Sequence, residues 1–275
     1  MRFGERLDRA IDRHGPVCVG IDPHPGLLDE WGLPRNIEGL AAFTATCVSA
    51  FAGRAALVKP QSAFFELFGS AGLAVLERAI ADLRGAGTLV LLDVKRGDIG
   101  TTMDAYAHAY LDQTSPLAAD AITVSPFLGV GSLSPAFDVA TANGAGVFVL
   151  ALTSNKEGPQ FQHARTSDGR TVGQTVSDEV GRRNHDASPL GDFGLVVGAT
   201  IGETGTDFSQ LNGPILSPGV GAQGGTAEDV RRIFGATARH VLPSVSREVL
   251  RQGPSLAALR DALDAQQAAF TFLRA

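Results

Sequence analysis

Eight short β-type runs recur along the chain, each followed by a longer stretch, and this alternation sharply limits the folds open to it. The runs are Val17–Ile21, Ala56–Lys59, Thr88–Asp93, Ala121–Val124, Val147–Leu152, Gly194–Val197, Pro214–Leu216 and His240–Leu242. Most are continuous apolar strings, the pattern of strands covered on both faces. Between them, Leu40–Phe51, Leu73–Arg84, Met103–Leu111, Val172–Arg183 and Ala227–Gly235 read as amphipathic or alanine-rich helices. Strands that alternate with helices imply parallel pairing through crossover connections. Eight such units in 275 residues predict an α/β chain folded as one (β/α)8 TIM barrel over residues 1–275. An open doubly wound sheet is the alternative, because periodicity does not reveal closure. Arg2–Arg13 and Ile37–Gly53 flank the first run as helices, and Leu256–Leu273 is a final amphipathic helix, with no linker or internal repeat.

Composition narrows the function classes. A 44% hydrophobic content is ample for a sizeable core, and a formal charge of −6 argues against nucleic-acid or acidic-membrane partners. No run of 18 apolar residues occurs, and Met1–Asp8 is charged from the start, so neither a membrane span nor a signal peptide is expected. Cys18 and Cys47, the two cysteines, both lie in apolar patterns and read as buried thiols of a reducing compartment. A cytoplasmic protein is the expectation.

Barrels of this kind carry their chemistry at the C-terminal ends of the strands. The third run ends abruptly in Asp93, Lys95 and Asp98. Alternation sends Asp93 and Lys95 out of the same face, one pleat apart. Desolvated charges there either pair as a structural salt bridge or act on a ligand. The other strand ends are also polar: Asp22-Pro23-His24 after the first, Lys59-Pro60-Gln61 after the second, Thr153-Ser154-Asn155 after the fifth, Ser244-Val245-Ser246-Arg247 after the eighth. After the seventh run, Gly219, Gly221, Gly224 and Gly225 surround Gln223 and lead into Thr226-Ala227-Glu228-Asp229, a capped helix start. A glycine loop feeding a helix N-terminus is an anion cradle, and Arg247 adds a guanidinium. The bland reading of this pair is a flexible turn and a surface arginine.

Other signals are weaker. His24, between two prolines, reads as a positioned loop residue, and Trp31 with Phe64-Phe65 as packing residues. The polar stretch Asn155–Asp168 is either a mobile lid or a solvated insertion. The chain has no HxH, HExxH or CxxC spacing, no GxSxG elbow and no GxxxxGK[ST] loop.

Asp93-Val94-Lys95-Arg96-Gly97-Asp98-Ile99-Gly100-Thr101-Thr102 resembles the signature of the orotidine 5′-phosphate decarboxylase family. Val58-Lys59-Pro60-Gln61-Ser62-Ala63-Phe64-Phe65-Glu66 and Pro218–Gly225 resemble its longer bacterial branch, so the likeness runs from the first strand to the eighth. The resemblance implies a (β/α)8 barrel that converts orotidine 5′-monophosphate to UMP and carbon dioxide without metal or organic cofactor, as a homodimer. It implies catalytic roles for Lys59, Asp93, Lys95 and Asp98, with Lys95 protonating the C6 carbanion. It further implies that Asp22 binds the ribose, Ser154 lies near the pyrimidine, and Gln223 and Arg247 hold the phosphate. Asp98 and Thr102 would reach the neighbouring subunit's site. Two other readings stay open. One is a metal-dependent phosphosugar decarboxylase or aldolase of the same superfamily, in which a carboxylate stands where this chain has Lys59. The other is an inactive phosphate-binding barrel.

Overall fold

The computed structural model describes residues 1–202, 204–221 and 224–274. Eight parallel strands close into a barrel in sequence order. They are β1 Cys18–Ile21, β2 Leu57–Pro60, β3 Leu89–Arg96, β4 Ala121–Val124, β5 Gly146–Leu152, β6 Phe193–Val197, β7 Ile215–Pro218 and β8 Val241–Val245. Closure is made by β1 on β8, with Cys18 opposite Ser244 and Val19 opposite Val245. The barrel expectation therefore holds over the open sheet.

Apart from the end of β3, the strands are largely buried on both faces because two apolar layers meet at the sheet. Outward residues such as Val19, Val58, Val90, Leu92, Ile122, Val149, Leu195 and Ile215 pack under the surrounding helices. Inward residues form a separate core of Cys18, Leu57, Leu89, Leu91, Ala121, Phe148, Val196, Leu216 and Leu242. The two-residue period of a strand sorts a continuous apolar run into these layers.

Where the inward residues are apolar, the barrel is solid; where they turn polar, it opens. From Leu57 the same face leads to Lys59 and Gln61, from Leu91 to Asp93, from Ala121 to Thr123, and from Leu242 to Ser244. These polar residues share one end of the barrel. The opposite end is sealed by the helix Phe3–His14, whose buried Phe3, Leu7 and Ile11 belong to the inner core. The Phe3 ring meets Phe148 edge-on at 6.0 Å. Gly146 makes room for it, since a Cβ there would lie 2.4 Å from the ring.

Several strands run further than the sequence predicts. Pro60, Pro218 and Pro243 lie inside strands and not beyond them. Each ring removes one ladder donor, and Pro60 and Pro218 do so only at the last residue of their strands. Between β6 and β7 the described residues form no helix, and buried Phe208 and Leu211 cover the sheet instead. The polar stretch 155–168 contains a short helix, Gly158–Gln162, with a bridge from Arg165 to Thr171 just beyond it. Gln162 ties it to the end of β5 by accepting from the Thr153 N–H at 2.8 Å. Trp31 packs on Phe43 with centroids 4.2 Å apart and donates to the Leu250 carbonyl at 2.8 Å, so it is a packing residue as expected. Phe65 is fully buried, whereas Phe64 is only partly so and lies 6.2 Å from the His24 ring.

Because Phe3 plugs the closed end, Phe3→Ala should destabilise the protein by about 3–5 kcal/mol, the range for emptying a buried aromatic site. Urea denaturation monitored by far-ultraviolet circular dichroism checks this. A loss under about 1 kcal/mol would show that the plug is dispensable.

Candidate active site

Asp93 is the centre of the polar end. It leaves β3 on the inward face with only 7% of its surface exposed. Four donors meet its carboxylate. Oδ2 accepts from Lys59 Nζ at 3.0 Å and from Gln61 Nε2 at 2.9 Å. Oδ1 accepts from Lys95 Nζ at 2.6 Å and from Thr123 Oγ1 at 2.7 Å. Lys59 is itself buried and lies 3.9 Å from Asp22 Oδ1. Lys59, Asp93 and Lys95 thus alternate in charge along one line across β2 and β3.

Lys95 reaches Asp93 by a route that regular pleating does not supply. Its φ is +46°, in the left-handed region that non-glycine residues rarely occupy. The β3–β4 register shifts between Leu92 and Arg96 at this point. The Lys95 N–H donates to Thr123 Oγ1 at 3.0 Å, so one threonine holds both the strained backbone and the carboxylate. The expected convergence of Asp93 and Lys95 is therefore present, through a bulge and not along a regular pleat.

The residues after Lys95 explain the rest of the motif. Ser125 donates its N–H to the Arg96 carbonyl at 2.7 Å, and a Cβ on Gly97 would fall 2.4 Å from the Ser125 carbonyl oxygen. Only glycine fits that approach. Arg96 pairs with Glu66 at 2.7 Å and lies over the Tyr106 and Tyr110 rings. The turn therefore sends Asp98 away from Lys59 and Lys95. Asp98 accepts from the adjacent Ile99 N–H at 2.8 Å and forms no ion pair among the described residues. Thr102 is exposed on the helix Gly100–Leu111.

A cavity of about 290 Å³ opens beside the charge line. Asp22, Lys59, Asp93, Lys95, Ser154 and Arg247, six of the nine expected site residues, line it together. Asp98 and Thr102 lie outside it, and Gln223 falls outside the described residues. Beside Gln223, Gly219, Gly221 and Gly224 all have positive φ, between +72° and +96°. The loop is drawn tight by Gly225 N–H to Gly219 carbonyl at 3.0 Å and Gly221 N–H to Gly225 carbonyl at 2.9 Å. Thr226 then caps the helix Ala227–Phe234 in a reciprocal box with Asp229, as the sequence predicts. The Arg247 side chain is exposed and forms no ion pair among the described residues. His24 caps the helix Pro25–Glu30 through Nδ1, which accepts from the Leu27 N–H at 3.3 Å.

Thr123 and Gln61 are not among the expected site residues, although each has the inward parity of its strand, set by Lys59 of the site for Gln61 and by the inner-core Ala121 for Thr123. Parity was the available signal: Thr123 follows Ala121 as Gln61 follows Lys59.

The electrostatics favour the ionised forms. Burial is the largest influence on Asp93 and pushes its carboxyl up, but the charges of Lys59 and Lys95 and the hydrogen bonds it accepts outweigh this and hold it well below its ordinary 3.8. Burial likewise pulls Lys59 down, and Asp93, Asp22 and Cys18 outweigh it, holding the ammonium above its ordinary 10.5. Both cysteines are free thiols, and burial pushes Cys18 up to about 12. The depressed Asp93 contributes stability above 3.8 that is lost as pH falls through its lower folded value. The raised Lys59 contributes below 10.5 and is lost only as pH rises through its higher folded value. Asp93→Asn, which leaves Lys59 buried without its nearest counter-charge, should cost about 3 kcal/mol between about pH 5 and pH 10. The gap from wild type should narrow below about pH 4. Urea titrations across that range measure it, and a gap independent of pH would contradict the assignment.

Comparison with known proteins gives this geometry a context. The family profile described as orotidine 5′-phosphate decarboxylase / HUMPS matches residues 15–262. An orotidine 5′-phosphate decarboxylase of Salinispora tropica is 62% identical over 262 residues, 95% of this chain and 94% of the relative. One from a Nocardioides species is 64% identical over 252 residues, 90% and 92% of the two chains. The crystal structure of a Streptomyces avermitilis protein, proposed to be the same enzyme, superposes with a TM-score of 0.97 at 53% identity, covering 99% of this chain and 95% of that one. On the strength of the charge line, the barrel and these relatives, the chain belongs to the orotidine 5′-phosphate decarboxylase / HUMPS family.

Proposed function

We propose that this chain decarboxylates orotidine 5′-monophosphate to UMP and carbon dioxide at the open end of the barrel, with its own side chains as the only catalytic groups. The observation that carries the reading is the Lys59–Asp93–Lys95 line, with donor distances of 3.0 and 2.6 Å, set beside a cavity that also exposes Arg247. The relatives named orotidine 5′-phosphate decarboxylase, at 62% and 64% identity, support the same substrate.

Breaking the C6–carboxylate bond leaves its electron pair on C6, with no adjacent π-system placed to take it up. A fixed positive charge beside C6 is then the available stabiliser, and preorganised charge is worth most where it needs no reorganisation. Lys95 Nζ, half-exposed at the cavity, supplies that charge and then donates the proton that forms the C6–H bond of UMP. A proton from solvent restores the ammonium. Asp93 holds Lys95 in place and disfavours a substrate carboxylate beside it. Lys59 keeps Asp93 ionised, and Asp22 accepts from the ribose. Ser154 faces the pyrimidine, while Arg247 and the glycine loop, with Gln223, take the phosphate. Binding energy from that remote phosphate supports the strained arrangement at C6.

The family description also includes HUMPS enzymes. Lys59 argues against a phosphosugar reaction that relies on a metal held at Asp93. An ammonium already occupies the approach to that carboxylate at 3.0 Å and repels a second cation.

Asp98 supports a shared site. Its carboxylate forms no ion pair among the described residues, and it lies beside Ile99, 62% exposed, and the exposed Thr102. A second copy covering this surface would bury Ile99 and take Asp98 and Thr102 into its own ribose pocket, which makes a homodimer the active species. Two buried free thiols are compatible with a cytoplasmic location, and no helix among the described residues is long and apolar enough to cross a membrane.

Ultraviolet assay of orotidine 5′-monophosphate in EDTA-containing buffer should show full turnover by the pure protein, and Lys95→Ala should lower kcat by a factor on the order of 10³ or more while UMP still binds. No turnover by wild type would defeat the activity, and near-normal kcat in the variant would remove Lys95 from its role. Mixing Lys95→Ala with Asp98→Ala protein should restore activity, because hybrid dimers contain one site with both residues intact. Inactive mixtures with demonstrated subunit exchange would sink the shared site.

A further inference from the structure

Ser246 stands where a helix begins and does not cap it. It precedes the short helix Arg247–Leu250 with φ −139° and ψ −78°, and its side chain makes no cap hydrogen bond. Serine is among the strongest cap formers, so a hydroxyl turned away from that role calls for another one. The Ser246 Oγ is buried and has no hydrogen-bond partner among the described residues. Buried hydroxyls without partners are costly and uncommon.

Ser246 and Asp22 approach the same glycine of β1. A Cβ placed on Gly20 would lie 3.0 Å from Ser246 Oγ and 3.2 Å from Asp22 Oδ2, so both groups border the same small space between β1 and β8. Asp22 Oδ1 is likewise buried without a hydrogen-bond partner. Asp22 and Ser246 both line the cavity. Gly20 keeps the space open, because any side chain there would meet the Ser246 Cβ at 2.9 Å. A carboxylate accepts only, while a hydroxyl both donates and accepts. Side by side, they match two neighbouring hydroxyl groups on one ligand.

We infer that Ser246 is a specificity residue for the ribose: Asp22 accepts from one ribose hydroxyl and Ser246 Oγ bonds the adjacent one, so that the pair reads the vicinal diol of the nucleotide. This rests on the decarboxylase reading, which supplies the nucleotide, and adds a contact on β8 to the ribose pocket. The contact binds the sugar and does no chemistry at C6, so its loss falls on KM more than on kcat.

Calorimetry with UMP, 2′-deoxy-UMP and 3′-deoxy-UMP on wild type and Ser246→Ala tests it, alongside kcat and KM for orotidine 5′-monophosphate. The variant should bind UMP roughly tenfold more weakly, the worth of one hydrogen bond. For the deoxynucleotide that lacks the contacted hydroxyl, wild type and variant should bind alike. Unchanged UMP affinity in the variant overturns the proposal. So does an equal loss for all three nucleotides, the mark of a merely structural role. Should the variant fold poorly, wild type decides alone: both deoxynucleotides binding as tightly as UMP would also overturn it. A wild type that binds these nucleotides as expected but never turns over orotidine 5′-monophosphate would count against the activity and leave the diol contact standing.

Discussion

A carboxylate buried to 7% exposure stays ionised at the head of this barrel because four donors converge on it, and most of the open end is arranged around that requirement. Uncompensated, a buried charge costs several kcal/mol. Lys59 and Lys95 neutralise it from opposite sides, while Gln61 and Thr123 satisfy the remaining lone pairs. The donors come from β2, the residue just after it, β3 and β4, so the cluster exists only when those three strands are in register. The same cluster fixes Lys95 in a left-handed conformation at φ +46°, local strain that the surrounding bonds hold in place.

Closure of the barrel makes this affordable. The inner core below the charges is filled by Leu57, Leu91, Phe148, Leu216 and Leu242, and Phe3 plugs its far end. Charges above such a core feel a low local dielectric, which strengthens their mutual attraction and the field they present to a ligand. Gly219, Val220 and Arg247 line the same cavity as Lys95, so the strand-seven and strand-eight ends and the charge line border one space.

Particular residues show how much of this was legible beforehand. Eight strands and their order followed from apolar runs, and the capped start at Thr226 from its residue types. Strand ends were less legible wherever proline intervened, at Pro60, Pro218 and Pro243, because proline reads as a strand breaker, whereas here Pro60 and Pro218 close their strands and Pro243 keeps the extended backbone of β8. Six of the nine anticipated site residues face one cavity. Thr123 escaped notice because a lone threonine in an apolar run resembles any β-branched strand residue until its neighbour across the ladder is known. Ser246 stands among the polar residues after the eighth run, but its nearness to Gly20 and Asp22 of β1 depends on closure of the barrel, which no local pattern shows.

From the sequence alone, the alternation of apolar runs with helical stretches determines a parallel α/β chain of eight units, and the clustering of Asp22, Lys59, Asp93, Lys95 and Arg247 at strand ends determines which ends are polar, while closure into a barrel waits for the pairing of β1 with β8. Both are local signals: period, composition and position relative to a strand end. The tertiary structure decided what depends on distance across strands. It routed Lys95 through a bulge to Asp93, gave Thr123 two bonds, turned Asp98 outward past Gly97 and Ser125, and left Ser246 facing Asp22. Those outcomes depend on strand register and on the close approach of backbones far apart in the chain, which no local pattern of residues encodes.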